Sequence, residues 1–282
     1  MKIRIAAAAL SGLLLVIVAV CAYYRPGAKR SETDRTPVRL AAAADLRFAL
    51  NELIRRFEER HHIVVNASYG SSGTLYAQLL NEAPFDMFLS ADIEYPRRLA
   101  ARHLTVPDSE FTYAIGRLVA WVPSSSTLDV GRRGLEVIAD PSVAHVAIAN
   151  PEHAPYGRAA VEAMQAAGVY ETVKRKLVFG ENVEQALQFA QTEAADVGIV
   201  ALSLAVAPTV RAHGRYVDIP LNSYAQITQG GAILRWAADL ASARAFRAFL
   251  ISREGRAVLE AYGFFLPQDQ QSAVQGRLHS VC

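Results

Sequence analysis

The chain has 282 residues, of which 52% are hydrophobic, so it can bury a large core or two domains of ordinary size and is not an intrinsically disordered protein. Its 29 Lys and Arg against 27 Asp and Glu give a formal net charge of +2. No basic run is interleaved with aromatic residues, so nucleic acid is not an expected partner. The seven histidines and two cysteines show no metal-ligand spacing, and we expect neither a cationic metal site nor a disulfide framework.

Residues 1–37 are predicted to be an export signal or membrane anchor followed by a charged linker. Lys2 and Arg4 precede an apolar run that ends near Ala22, which is typical of a secretory signal. A run of about 18 apolar residues lies near the lower length that spans a bilayer, so cleavage and retention as a membrane tether both stay open. Lipidation at Cys21 is a third alternative. We expect a periplasmic protein, exported by this segment.

From Val38 onward, apolar strands alternate with amphipathic helices. "VRLAAAA" is predicted to be a strand, followed by a helix with apolar residues at helical spacing and the basic end "ERHH". "HIVVNASYG" is the next strand, with a helix from about Thr74, and "FDMFLSAD" is a short buried strand before the helix "YPRRLAARH". This alternation predicts an α/β fold with mainly parallel sheets.

The second half repeats the pattern between two apparent crossings. "FTYAIGRLVAWVPSSS" is the first crossing, and "YVDIPLNSYAQITQGGAIL" is the return. Between them, "HVAIANPEHAPYGRAAVEAMQAAG" predicts strand, loop and helix, and "KLVFGENVEQALQFAQTEAADVGIVAL" predicts strand, loop, helix and strand. We predict lobe 1 from residues 38–120 plus 221–268, lobe 2 from 121–220, a hinge near Trp121 and Pro220, and a loose tail at 269–282.

Four strand-to-helix loops share one layout, centred on Asp45, Ser72, Tyr156 and Val183. Each lies at the carboxyl end of a strand and the amino end of a helix, where open α/β sheets bind ligands and helices present unpaired N–H groups to anions. Each loop alone is an ordinary helix start. Their joint occurrence on both sides of a domain crossing favours an anion site made of backbone amides and hydroxyls.

The sequence contains no motif that indicates catalysis. "GSSG", residues 70–73, is not the G-x-S-x-G of serine hydrolases and lacks the G-K-[ST] of nucleotide-binding loops. We expect a binding protein without cofactor. An enzyme with Ser71 or Ser72 as nucleophile stays the alternative from another class.

At these loops the sequence resembles the periplasmic molybdate-binding proteins of ABC transporters, the ModA family of extracytoplasmic solute-binding proteins. The similar stretches are "AAAADL", "SYGSSGTLYAQLLNEAPFDMFLSAD", "FTYAIGRLVAW", "NPEHAPYGRAAVEAM", "FGENVEQALQFAQTEAADVGIVALS" and "YGFFLP". They cover most of residues 38–268. The resemblance implies a monomer with the two-lobed periplasmic binding protein fold (type II), in which two crossovers join the lobes. It also implies that a tetrahedral dianion, molybdate or tungstate, binds between the lobes and is delivered to a permease subunit.

The resemblance implies five oxyanion-binding positions. They are Ala44, Asp45, Ser72, Tyr156 and Val183. Ser72 would donate through its hydroxyl and amide, and Tyr156 and Val183 through their backbone N–H groups.

Asp45 departs from the family pattern, which commonly has Ser or Asn at this position. A carboxylate within about 4 Å of a dianion would be repelled by roughly 4 kcal/mol for each unit charge of the dianion, at an intermediate effective dielectric constant. We therefore expect its side chain to turn away and cap the helix at Arg47 or Phe48, leaving only its amide for the ligand. The alternative is a carboxylate that accepts a proton from hydrogen phosphate and disfavours molybdate, tungstate or sulfate.

Overall fold

The computed structural model describes residues 36–267. The predicted export or anchor segment, including Cys21, and the predicted loose tail lie outside the described residues, apart from the last two residues of the linker. Within residues 36–267, no helix is long and apolar enough to cross a membrane.

The described chain contains ten strands in two five-stranded sheets. The strands are β1 (Val38–Ala43), β2 (Val65–Gly70), β3 (Met87–Ser90), β4 (Phe111–Gly116), β5 (Leu118–Pro123), β6 (Val146–Ala149), β7 (Leu177–Gly180), β8 (Val197–Ala201), β9 (Gly214–Asp218) and β10 (Ile227–Ile233). The order is β2-β1-β3-β10-β4 in the first sheet and β7-β6-β8-β5-β9 in the second.

Helices flank both sheets. They are α1 (Arg47–His61), α2 (Ser72–Leu79), α3 (Glu94–Ala101), α4 (Val130–Arg133), α5 (Pro155–Ala166), α6 (Tyr170–Val173), α7 (Val183–Gln191), α8 (Leu202–Ala205), α9 (Pro208–Arg211), α10 (Leu240–Leu250) and α11 (Arg253–Ala261). Short 3-10 helices add further turns, and one of them, Ala44–Leu46, joins β1 to α1. The predicted two-lobed α/β architecture is confirmed.

Both sheets are mixed, whereas the sequence predicted mainly parallel sheets. In each sheet three neighbouring strands are parallel, namely β2-β1-β3 and β7-β6-β8. The remaining pairings are antiparallel, because β10 runs back between β3 and β4 and β5 runs back between β8 and β9. The strands that enter and leave each crossing therefore account for the antiparallel part.

The first crossing lies at Arg117, between β4 and β5. Leu118 to Ala120, which the sequence assigned to lobe 1, pair with β8 in the second sheet. The apolar run continues through the crossing without a break, so composition gave no sign of the boundary. Trp121, expected near the hinge, lies inside β5 opposite Gly198 and Tyr216 and is 1% exposed.

The parallel strands direct their carboxyl ends to one edge of each sheet. Strand β1, with the sequence VRLAAA, is almost wholly buried, and its small residues let the chain turn at once into the 3-10 helix and α1. Strand β2 leads into α2 in the same way, and in the second sheet β6 and β7 lead towards α5 and α7. These four turns form the candidate site.

Candidate functional site

The four turns line one cavity between the two lobes. Residues from both sheets line it: Ala43, Ala44, Asp45, Gly70, Ser71, Ser72, Ala91, Ala154, Pro155, Tyr156, Asn182 and Val183. All five residues that the sequence proposed as oxyanion ligands are in this set. The structure therefore brings together positions that lie up to 139 residues apart in the chain, from Ala44 to Val183.

The turn before α2 separates the roles of its two serines. Ser71 is the N-cap residue: its Oγ accepts from the Thr74 backbone N–H at 3.3 Å and donates to Thr74 Oγ1 at 2.8 Å. Ser72 is 1% exposed, and its Oγ accepts from the Ala91 backbone N–H at 2.9 Å. Because that bond uses an oxygen lone pair, the Ser72 hydroxyl proton is left to donate into the cavity.

The second lobe contributes two helix starts. Pro155 occupies the first turn of α5, and Asn182 caps α7 by accepting from the N–H groups of Glu184 and Gln185. The backbone N–H groups of Tyr156 and Val183 take part in none of the described hydrogen bonds. First-turn amides of a helix lack an internal acceptor, so these two remain as donors that line the cavity.

Asp45 does not take the conformation that the sequence predicted. Its side chain caps no helix. It is 1% exposed, and its Oδ2 accepts from the Tyr156 hydroxyl at 3.0 Å and from Gln229 Nε2. The expected cap is absent because the carboxylate turns to two buried donors, one in each lobe, instead of the amides of α1.

Burial raises the pKa of Asp45 from 3.8 to about 6, and hydrogen bonds from Gln229, Tyr156 and its own backbone N–H only partly oppose this rise. Desolvation disfavours the charged form of a buried acid.

Gln229 and Tyr113 complete the buried network and were missed by sequence reasoning. The Tyr113 hydroxyl lies 3.0 Å from both the Ser90 carbonyl oxygen and Gln229 Oε1, and these two acceptors share its single proton. The second bond fixes the Gln229 amide so that its nitrogen faces Asp45. Both residues lie on strands of the crossing segments, which resemble ordinary core strands, so no local motif distinguishes them.

Hydrogen bonds join the two lobes at the rim of the cavity. The Gly73 backbone N–H donates to the His153 carbonyl at 2.9 Å. Thr74 Oγ1 donates to Glu181 Oε1 at 3.3 Å. The glycine is required here, because a Cβ at position 73 would lie 2.6 Å from the His153 carbonyl oxygen.

Two ion pairs also bridge the lobes, and each of them pairs an arginine near the cavity with a carboxylate. Arg47 of α1 pairs with Glu184 of α7. Arg158 of α5 pairs with Asp92 at 2.6 Å. Each of these two cations is therefore neutralised by a carboxylate of the opposite lobe.

The chemistry of the cavity is that of a neutral donor shell. Its candidate donors are a hydroxyl and helix-terminal amides, which suit an anion. Within the described residues, no group of three or more His, Cys, Asp or Glu side chains could hold a metal ion. The hydroxyls of Ser71 and Ser72 bond to Thr74 and Ala91 rather than to a histidine base.

Comparison with known proteins agrees with this architecture. Residues 38–265 match the family model described as bacterial extracellular solute-binding protein. The chain is 38% identical over 224 residues to the molybdate-binding protein ModA of Rhodobacter capsulatus, covering 79% of this chain and 86% of that protein. It is 36% identical over 229 residues to ModA of Azotobacter vinelandii, covering 81% and 90%. The solved Azotobacter vinelandii periplasmic molybdate-binding protein superposes with a TM-score of 0.77 at 33% identity, covering 82% of this chain and 99% of that one.

Proposed function

We propose a transport function from one premise: the chain belongs to the family of bacterial extracellular solute-binding proteins. It binds molybdate or tungstate in the cavity between its lobes and delivers the ion to the permease subunit of an ABC transporter for import. The protein works as a periplasmic monomer without cofactor or catalytic step, after export by its N-terminal segment, which is either cleaved or kept as a tether.

The observation that carries this proposal is the set of neutral donors that converge from both lobes. The hydroxyl of Ser72 and the helix-start amides of Tyr156 and Val183 line one cavity. Oxygens of a tetrahedral dianion accept several hydrogen bonds at once, and charge-assisted bonds of this kind are stronger than neutral ones. We assign ligand contacts to these three residues, to the backbone of Ala44 and to Asp45.

A receptor for hydrogen phosphate is the alternative, and a specific observation favours it. Asp45 lines the cavity, and an ionised carboxylate there would accept the proton of hydrogen phosphate. The similarity to molybdate-binding proteins over about four fifths of the chain outweighs this one residue. Sulfate, a fully ionised tetrahedral anion, is the third candidate ligand.

Calorimetric titration of the purified protein with molybdate, tungstate, sulfate and phosphate tests the proposal. We expect tight binding of molybdate and tungstate at one site per chain, and binding of sulfate and phosphate weaker by at least about 100-fold, which is about 3 kcal/mol. A preference for phosphate or sulfate would overturn the choice of ligand. Binding of none of the four would overturn the receptor function.

A further inference from the structure

The two carboxylate oxygens of Asp45 have different surroundings. Oδ2 accepts from the Tyr156 hydroxyl and from Gln229 Nε2. Oδ1 is buried, and within the part of the chain that the structure describes it has no hydrogen-bond partner. A buried carboxylate oxygen without a donor is unusual in folded proteins, and this one belongs to a residue that lines the ligand cavity.

Charge at the site makes an ionised Asp45 incompatible with a bound dianion. The two cationic side chains nearby, Arg47 and Arg158, are already paired with Glu184 and Asp92. No charge in the cavity lining therefore compensates three negative charges, two of the ligand and one of Asp45. Within a buried site these repulsions are weakly screened, and the simplest relief is protonation of the carboxylate.

The groups that face Asp45 from neighbouring elements do not provide another proton acceptor or a free cation. Burial raises the pKa values of Tyr113 and Tyr156 well above 10, so both stay neutral. Gln229 of β10 is uncharged, and Ser203 of α8 donates to the Asp45 carbonyl at 2.8 Å. In the first turns of α1 and α7 the charges are those of the Arg47 and Glu184 pair.

We propose that Asp45 is protonated in the ligand complex and donates a hydrogen bond from Oδ1 to the oxyanion. When Asp45 of the free protein is ionised, binding of one dianion is therefore accompanied by uptake of one proton from solvent onto Asp45. This inference rests on the proposed function and adds a property to it. Oδ2 remains the acceptor for Tyr156 and Gln229, which orients the carboxyl group and leaves the proton on Oδ1. The same arrangement makes molybdate binding weaken as the pH rises.

The direction of the pH dependence follows from linkage. Without ligand, Asp45 ionises with a pKa of about 6, and the dianion raises that pKa further. Near pH 5 the proton is already present and uptake is close to zero. Near pH 8 the free protein has lost it, so uptake approaches one proton per ion and the dissociation constant rises by up to about tenfold per pH unit.

The test is calorimetric titration with sodium molybdate at about pH 5 and pH 8, in buffers of different ionisation enthalpy. The dependence of the observed heat on the buffer gives the number of protons taken up. An infrared difference spectrum of the complex gives a second readout, because a buried carboxylic acid absorbs above the carboxylate bands. We expect close to one proton at pH 8, little at pH 5, and a carboxylic acid band on binding.

Asp45→Asn supplies the matched variant, since its amide donates without titrating. It should bind molybdate with no proton uptake, a flat pH profile and no carboxylic acid band. Asp140→Asn, on the surface of lobe 2, is the control that keeps the wild-type proton uptake. Tyr156→Phe removes one donor to Oδ2 and should raise the pH at which uptake begins.

Each outcome decides the inference. Molybdate binding by the wild type without proton uptake at pH 8 overturns it while leaving the receptor function intact. Uptake that persists in Asp45→Asn places the proton elsewhere and overturns it too. Preference for hydrogen phosphate, bound without uptake at pH 8, means that Asp45 accepts rather than donates. Failure to bind any of the four oxyanions overturns the proposed function and this inference together. If Asp45→Asn does not fold, the wild-type proton count and infrared band still decide.

Discussion

The Ser72 turn and the Asp45 turn occupy equivalent places in the fold and behave differently. Both follow a parallel strand of the first sheet, both precede a helix, and Asp45 and Ser72 are each 1% exposed. The Oγ of Ser72 accepts a hydrogen bond from the Ala91 backbone N–H of its own lobe. Asp45 finds donors at Tyr156 and Gln229, which are 111 and 184 residues away. The orientation of the Ser72 hydroxyl is therefore set by a partner in its own lobe, whereas the orientation of the buried Asp45 carboxylate is set by partners far away in the chain.

The largest expected effect is the change in the free energy of unfolding when Asp45→Asn removes the charge that distinguishes the two turns. In ligand-free protein, Asp45→Asn should raise the free energy of unfolding by about 3 kcal/mol at about pH 8 and by less than about 1 kcal/mol at pH 4. The pKa is 3.8 ordinarily and about 6 in the fold. The contribution of protonated Asp45 to the free energy of unfolding is therefore fully present below pH 4 and is lost as the pH rises through 6. Urea unfolding at the two pH values measures the difference, and equal effects at both would contradict it.

Ser72→Ala tests the turn for which the hydroxyl of Ser72 is proposed as a donor to the ligand. We expect molybdate affinity to fall by about 1 to 3 kcal/mol, the range for a hydrogen bond to a charged group. Ser71→Ala is the neighbouring comparison. It should lose about 1 kcal/mol of stability as a missing N-cap and less affinity than Ser72→Ala. Titration calorimetry together with urea unfolding separates the two effects, and unaltered affinity in Ser72→Ala would remove this residue from the site.

Gly73→Ala tests whether the Ser72 turn must touch the other lobe. The added Cβ would lie 2.6 Å from the His153 carbonyl oxygen, so the bridge from the Gly73 N–H could not form as it does now. We expect molybdate to bind about tenfold more weakly, which is about 1.4 kcal/mol. Gly131→Ala is the control, because its Cβ would meet nothing closer than 3.8 Å. Equal affinity in the two variants would contradict the role of this contact in closure.

Thr74→Val should have the smallest effect. It removes the hydroxyl that donates to Glu181 at 3.3 Å across the cleft, and the glutamate side chain is 61% exposed. Solvent-exposed bonds contribute little, so the loss of molybdate affinity should stay below about 1 kcal/mol. The exposed Thr172, on α6, gives the matched Thr→Val control. A tenfold loss in Thr74→Val alone would show that the Ser72 turn depends on this bridge.

The α/β fold could be predicted because the alternation of strand and helix patterns is a local signal. The helix-start pattern indicated four turns, the family resemblance supplied the five proposed ligand positions, and all five line one cavity. The course of β10 and β5 could not be predicted as easily, since an antiparallel return strand has the same apolar pattern as a parallel one.

The orientation of Asp45 was beyond sequence reasoning for a physical reason. The local sequence around position 45 is equally consistent with a side chain that caps α1 and with a side chain that is buried beside Gln229. What decides between them is the position of Tyr156 and Gln229 in space, and Tyr113 in turn fixes the Gln229 amide. A network of four side chains that come from distant parts of the chain produces no periodic pattern in the sequence, so it could not be predicted from one.

The bridges between the lobes also have a kinetic consequence. The contacts of Gly73 with His153 and of Arg158 with Asp92 separate only when the lobes move apart. We expect an ion bound between both sets of loops to depart only after these contacts break, so their strength should act on the dissociation rate more than on the rate of capture. A transporter that holds the lobes apart would therefore shorten the residence time of the ion without contacting the ion itself.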